Sequence, residues 1–279
     1  MNIGIITWFQ YYNYGTSLQL VALSKTIESI CCQPNVLKYY AKERPVVVQN
    51  SAINEVLLKL NSKLINPIYT NEEKDKKFLD FYQSYLSFTE SVSLMSDLQK
   101  LNDRFDAFVC GSDQIWAPSC FDPHFFLDFV FDDNKKIAYA PSVGLPTIED
   151  KHIRSQIKHL TKRIRFLSTR EESGSKIISE LCGRNVQTVL DPTLLLNAEQ
   201  WQPFCKDVSI NEKKPYLLVY MLGKNEWQWK VIYKIAGVLN LAVKVIPVFK
   251  KDLKRQGCIK DAGIVKKCAV GEYPKSWIV

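Results

Sequence analysis

The stretch IGIITWFQYYNYGTSLQLVALSKTIESI, residues 3–30, changes its hydrophobic period once. Ile3, Ile5, Ile6 and Thr7 form a short, mostly apolar run, which reads as a buried strand. From Ser17 to Ile30 the residues Leu20, Leu23, Ile27 and Ile30 step by 3, 4 and 3, which is helical spacing. A loop through Gly15 lies between. Strand, loop and helix in that order open an α/β fold with a largely parallel sheet.

The alternation continues outward. A second strand is expected at Val36 to Tyr40. From Ala41 to Leu101 the pattern turns polar and helical, with Phe78, Phe81, Tyr82 and Tyr85 at helical spacing, and reads as an insertion or a helical cover on the sheet. Strands are expected again at Phe105 to Cys110, Ile137 to Ala140, Phe166 to Ser168 and Val186 to Leu190. Helices fit Lys151 to Arg165 and Glu171 to Cys182. A polar stretch from Asp207 to Lys214 then precedes a strand at Tyr216 to Leu222, a helix at Glu226 to Leu239 and a strand at Ala242 to Phe249. That β-α-β unit opens a second Rossmann-like domain. The division expected is 1–207 and 208–279, with the second domain incomplete because few residues follow Lys250.

Composition narrows the class. A chain of 279 residues that is 46% hydrophobic and 24% charged is neither disordered, collagenous nor coiled coil. Eight cysteines without a C-x-x-C pair, and three scattered histidines, give no zinc ligand set and no secreted disulfide framework. The first lysine is Lys25, so the N-terminus does not read as a signal peptide. The apolar run Tyr216 to Leu222 is far below the ~18–20 residues of a membrane span. A cytoplasmic protein with reduced thiols is expected. The formal charge of +8 favours anionic partners, and Lys151 to Arg170 holds seven Lys or Arg with no acid. Either a solvated face or an anion-guiding surface explains that segment.

Four polar motifs follow expected strands. In Asn13-Tyr14-Gly15-Thr16-Ser17-Leu18-Gln19, Gly15 allows a tight backbone approach, and the helix start suits either a structural cap or an anionic or polyhydroxyl ligand. In Gly111-Ser112-Asp113-Gln114-Ile115-Trp116, Asp113 and Gln114 can take hydroxyls in pairs and Trp116 offers a flat face to a sugar; an Asx turn with a packed indole is the alternative. In Ser168-Thr169-Arg170-Glu171-Glu172, the fork of Arg170 can grip a phosphate or carboxylate, or pair with its acidic neighbours. Asp191-Pro192-Thr193 reads as a chain-reversing corner. His124 is isolated, and His152 and His159 read as surface residues.

These motifs, together with Phe126-Leu127-Asp128-Phe129 and Ala138-Tyr139-Ala140 with Ser142 and Gly144, resemble the polysaccharide pyruvyl transferase family over residues 1 to about 250. The resemblance implies a GT-B-type two-domain architecture and a bacterial role in decorating cell-surface or exported glycans. It also implies ketal transfer from phosphoenolpyruvate to a sugar, on a glycan or lipid-linked acceptor. Phosphoenolpyruvate is then donor substrate rather than cofactor, and no cofactor, metal or nucleic acid is called for; a homo-oligomer is compatible. By the same analogy Arg170 holds phosphate or carboxylate. The loop of Asn13, Tyr14, Gly15 and Gln19 and the loop of Ser112, Asp113, Gln114 and Trp116 line the acceptor side. Family members carry a Ser-Phe-His-Gly-like segment whose histidine is the usual candidate for the acid. Here Ala269 to Trp277 resembles the approach to it and the sequence given stops at Val279, so the catalytic acid is unassigned and activity of this short chain is an open expectation. The alternatives are a noncatalytic glycan- or partner-binding remnant and a GT-B nucleotide-sugar glycosyltransferase.

Overall fold

A computed structural model of the chain describes residues 1–10, 13–41, 72–204, 215–222, 225–255 and 257. It divides into two compact units, Met1–Pro45 with Tyr82–Trp201, and Val46–Phe81 with Gln202–Val279. The boundary expected at 207/208 and the approach segment Ala269 to Trp277 lie outside the described residues.

The first unit is built on β1 (Asn2–Ile6), α1 (Tyr14–Ser29), β2 (Gln33–Tyr39), the end of a helix α2 (Glu72–Tyr85) whose residues up to Phe81 fall in the second unit, β3 (Phe88–Val92) and α3 (Met95–Lys100). It continues with β4 (Ala107–Cys110), β5 (Lys136–Ala138), α4 (Lys151–Lys162), β6 (Phe166–Thr169), α5 (Glu172–Cys182), β7 (Gln187–Thr188) and a short α6 (Ala198–Trp201). The seven strands form one parallel sheet in the order β3-β2-β1-β4-β5-β6-β7. Ile5 is fully buried and sits opposite Val36 of β2 and Val109 of β4, so β1 is an interior strand of the sheet. Helices cover the faces, and a parallel sheet needs that cover because its strands are apolar on both sides. On α4, Ile157 and Leu160 turn to the core while Lys158 and Lys162 face outward. The second unit contains β8 (Tyr216–Tyr220), α7 (Glu226–Val238) and β9 (Ala242–Ile246), with β8 and β9 parallel and Trp229 packed between Val219 and Val245. The seven-stranded parallel sheet of the first unit is Rossmann-like, in keeping with the α/β, GT-B-type expectation, and among the described residues the second unit shows one parallel β-α-β unit.

One expectation is corrected. The Ala41 to Leu101 region is not only insertion and helical cover: Phe88–Val92 is the edge strand of the sheet. An edge strand pairs on one side only, so it tolerates the polar Thr89, Glu90 and Ser91 that hide it from a search for apolar runs. Its register against β2 shifts between Val36 and Lys38, where the Lys38 N–H donates to Thr89 Oγ1 at 3.1 Å. Residues 42–71 of the same region lie outside the described residues.

Candidate functional site

From β1 the chain moves outward to β2 and β3, then returns to β4 on β1's other flank. The loops leaving β1 and β4 therefore diverge, and the carboxyl ends of these two strands mark the topological switch point where α/β sheets open a crevice. Two of the four motifs stand on it.

The first is a helix cap. Asn13 has extended backbone, and its Oδ1 accepts the N–H groups of Gly15 at 2.9 Å and Thr16 at 3.4 Å. Its carbonyl accepts both the N–H and the hydroxyl of Ser17, each at 2.9 Å. Three of the N–H groups that could meet an anion are thus occupied. Tyr14 is buried, whereas Gly15 is open to solvent. Gln19 is only 2% exposed and acts as a brace: its Oε1 accepts the Ser112 N–H at 3.0 Å, and its Nε2 donates to the Thr16 carbonyl at 3.1 Å. Thr7 completes the brace by donating its hydroxyl to the Ser112 carbonyl at 2.9 Å.

The loop after β4 begins at Gly111, whose φ of +123° and whose position 2.0 Å, at its would-be Cβ, from the Tyr139 carbonyl leave room for no side chain. Ser112 is fully buried and donates its hydroxyl to the Ala140 carbonyl at 2.7 Å. Asp113 adopts φ +73° and accepts the Gln114 N–H on Oδ1 at 2.8 Å and the Thr16 hydroxyl on Oδ2 at 2.6 Å. It is half-buried, and Gln114 is exposed. Trp116 differs from the sugar platform expected of it. Its indole is fully buried, stacked on Phe126 with centroids 4.6 Å apart, and donates Nε1–H to the Phe125 carbonyl at 2.9 Å. The apolar ring gains more from this core than from an open loop, so the packed-indole alternative is the one observed.

Arg170 ends β6 on the same edge. Nε donates to Glu171 Oε1 at 2.8 Å and Nη1 to Asp191 Oδ2 at 3.1 Å, with one quarter of the side chain exposed. Burial pulls the guanidinium pKa down, but hydrogen bonds and charge from Glu171 and Asp191 outweigh it and raise the net value. The acidic-neighbour pairing is therefore present and extends beyond the local loop. Asp191 is the residue that motif reading underrated. It does cap the Pro192–Leu194 turn as a corner should, with Oδ1 accepting the Thr193 N–H at 3.0 Å. Yet its Oδ2 also lies 3.5 Å from the Ser112 hydroxyl, and the turn packs against α1. Tyr139 borders the group, donating its hydroxyl to the Leu190 carbonyl at 3.3 Å, and burial followed by the Asp191 charge raises its pKa. The available signal was positional: Asp191 follows a strand, as the other three motifs do.

His124 is not isolated either. Its Nδ1 lies 2.7 Å from Asp128 Oδ1, and Asp122 beside it accepts the Tyr39 hydroxyl at 2.7 Å. Tyr39 closes β2, so this pair also belongs to the carboxyl edge, and burial followed by the Asp122 hydrogen bond raises the Tyr39 pKa. His152 and His159 are exposed on α4. Among the described residues no three His, Cys, Asp or Glu side chains cluster as a metal site, and no helix is long and apolar enough to cross a membrane.

A Rossmann-like α/β protein whose polar loops gather at the switch point belongs to a large class, and comparison with family models narrows it to a transferase. The model described as polysaccharide pyruvyl transferase matches residues 13–263, most of the chain, and the chain belongs to that family. A search of curated proteins found no match.

Proposed function

We propose that the chain takes part in transfer of a pyruvyl group, as a ketal, from phosphoenolpyruvate to two hydroxyls of a sugar in a cell-surface or exported glycan, on the cytoplasmic side. The observation that carries this reading is Arg170, held at the carboxyl edge by Glu171 and Asp191 next to the switch-point loops. Two of the five guanidinium N–H groups make those bonds, which orient the plane and leave others for a phosphate or carboxylate. In the reaction two sugar oxygens bond to the central carbon of the donor and its bond to the phosphate oxygen breaks. One hydroxyl proton ends on the methylene carbon, which becomes a methyl, and the other leaves with phosphate. Positioning and a fixed cation are what such chemistry asks of a protein.

On the acceptor side the reading falls on Asp113, with its unused lone pairs, and on the exposed amide of Gln114. Asn13, Gln19 and Ser112 hold these loops in place, and Gly15 leaves the backbone accessible. Incubation of the protein with phosphoenolpyruvate and a panel of oligosaccharides tests the proposal. The expected result is acceptor-dependent phosphate release, with an acceptor mass gain of one pyruvate less one water. No heat of phosphoenolpyruvate binding in calorimetry, together with thermal protection by a nucleotide diphosphate sugar, overturns it in favour of glycosyl transfer.

A further inference from the structure

The solvent side of α4 carries a row that the carboxyl edge does not use. Lys151, Arg154, Lys158 and Lys162, with Arg165 just past the helix, fall on one face at steps of 3 or 4. At 1.5 Å per residue the row from Lys151 to Lys162 is ~16 Å long. The carboxylates near it are mostly paired, and Glu172, which lines a hollow with Arg154, is held by Lys176. Glu180 lies 3.5 Å from Arg154, Asp133 pairs with Arg163 and Lys136, and Asp150 caps the helix start. Lys151, Lys158, Lys162 and Arg165 have no ion-pair partner among the described residues and are exposed. Beside Arg165 stands Phe166, 58% exposed at the start of β6, and Phe131, 64% exposed, lies two residues from Asp133.

We propose that this face of α4 docks the protein on an anionic lipid bilayer. Four unpaired cations in a row match a layer of anionic headgroups, and the exposed Phe166, next to Arg165 at the end of the row, can enter the apolar boundary beneath. Ile157 and Leu160 stay in the protein core, so the helix lies on the membrane as a charged surface and does not insert its own apolar face. A polynucleotide fits less well. The hollow beside Arg154 is lined by the carboxylates of Glu172 and Glu180, which repel a phosphate backbone, and no Phe, Tyr or Trp stands between the cations from Lys151 to Lys162 on which bases could stack.

The test is sedimentation of the full chain with phosphatidylcholine vesicles prepared with and without phosphatidylglycerol. Binding is expected only when phosphatidylglycerol is present, and it should weaken steeply with salt. Each cation near an anionic leaflet strengthens partitioning about fivefold. Lys158→Gln, Lys162→Gln and Arg165→Gln combined should therefore weaken it by about 100-fold. The matched variant Lys230→Gln, Lys234→Gln and Lys250→Gln removes the same charge from exposed positions of the second unit and should bind nearly as the parent does. Equal loss in both variants makes net charge the cause and overturns the proposal. So does equal binding to pure phosphatidylcholine, or tighter retention by a polynucleotide than by the anionic vesicles. Since the readout involves no substrate, its outcome is independent of the ketal-transfer reading.

Discussion

After β4, polar groups turn inward: the Ser112 N–H meets Gln19, its hydroxyl meets the Ala140 carbonyl, and Trp116 is sealed against Phe126. After β6 and β7, on the same edge of the same sheet, Arg170 and Asp191 keep about a quarter of their side chains exposed and carry charge. In the first region Gln19 and Ser112 form a buried neutral lattice that fixes backbone, with Asp113 and Gln114 at its open rim, and the second is a charged pair that solvent reaches. Polar residues at strand ends thus divide into those that build the crevice and those available to act in it. Buried hydrogen bonds give geometry, while an ion pair that keeps a quarter of its surface in water contributes less to stability.

The contrast can be broken by substitution, most forcefully at its apolar anchor. Trp116→Ala should cost ~3–5 kcal/mol in urea unfolding, since it opens a cavity under Phe126 and strands the Phe125 carbonyl. A loss below ~1 kcal/mol would mean that the loop does not depend on this packing. Gln19→Leu keeps the volume but removes the acceptor for the Ser112 N–H and should cost ~1–3 kcal/mol by the same measurement. Asn13→Ala removes only the α1 cap, and ~1 kcal/mol is expected. Arg170→Gln should change stability by no more than ~1 kcal/mol, because the pair is partly solvated. Calorimetry of that variant should nevertheless show phosphoenolpyruvate binding abolished. Unchanged affinity would make Arg170 an ion-pair partner only and erase the functional half of the comparison.

Much of this edge was legible beforehand. All four motifs follow strands, whereas the need for glycine at Gly111 comes from the close approach of the Tyr139 carbonyl. Arg170 beside Glu171 was readable as a pair from adjacency alone. The partnership of Arg170 with Asp191 was not, since 21 residues and a whole helix separate them. The same holds for His124, where spacing to Asp128 gave an i,i+4 contact that a search for metal ligands passes over.

By itself the sequence determined the α/β alternation, the apolar face of α4, and the placement of polar loops after strands. These follow from periodicity, which is local: one buried face repeats every 3.6 residues in a helix, and a short apolar run marks a buried strand. Helix α1 instead is buried on most sides, and Ile30, expected on its apolar stripe, lies past its end and is 67% exposed. Only the tertiary structure decided that Phe88–Val92 joins the sheet, that Trp116 is core, and that Gln19 meets Ser112 across 93 residues. A polar side chain carries no local record of its partner. Its choice between ligand and brace is settled when distant strands align and leave it either water or a buried amide to satisfy.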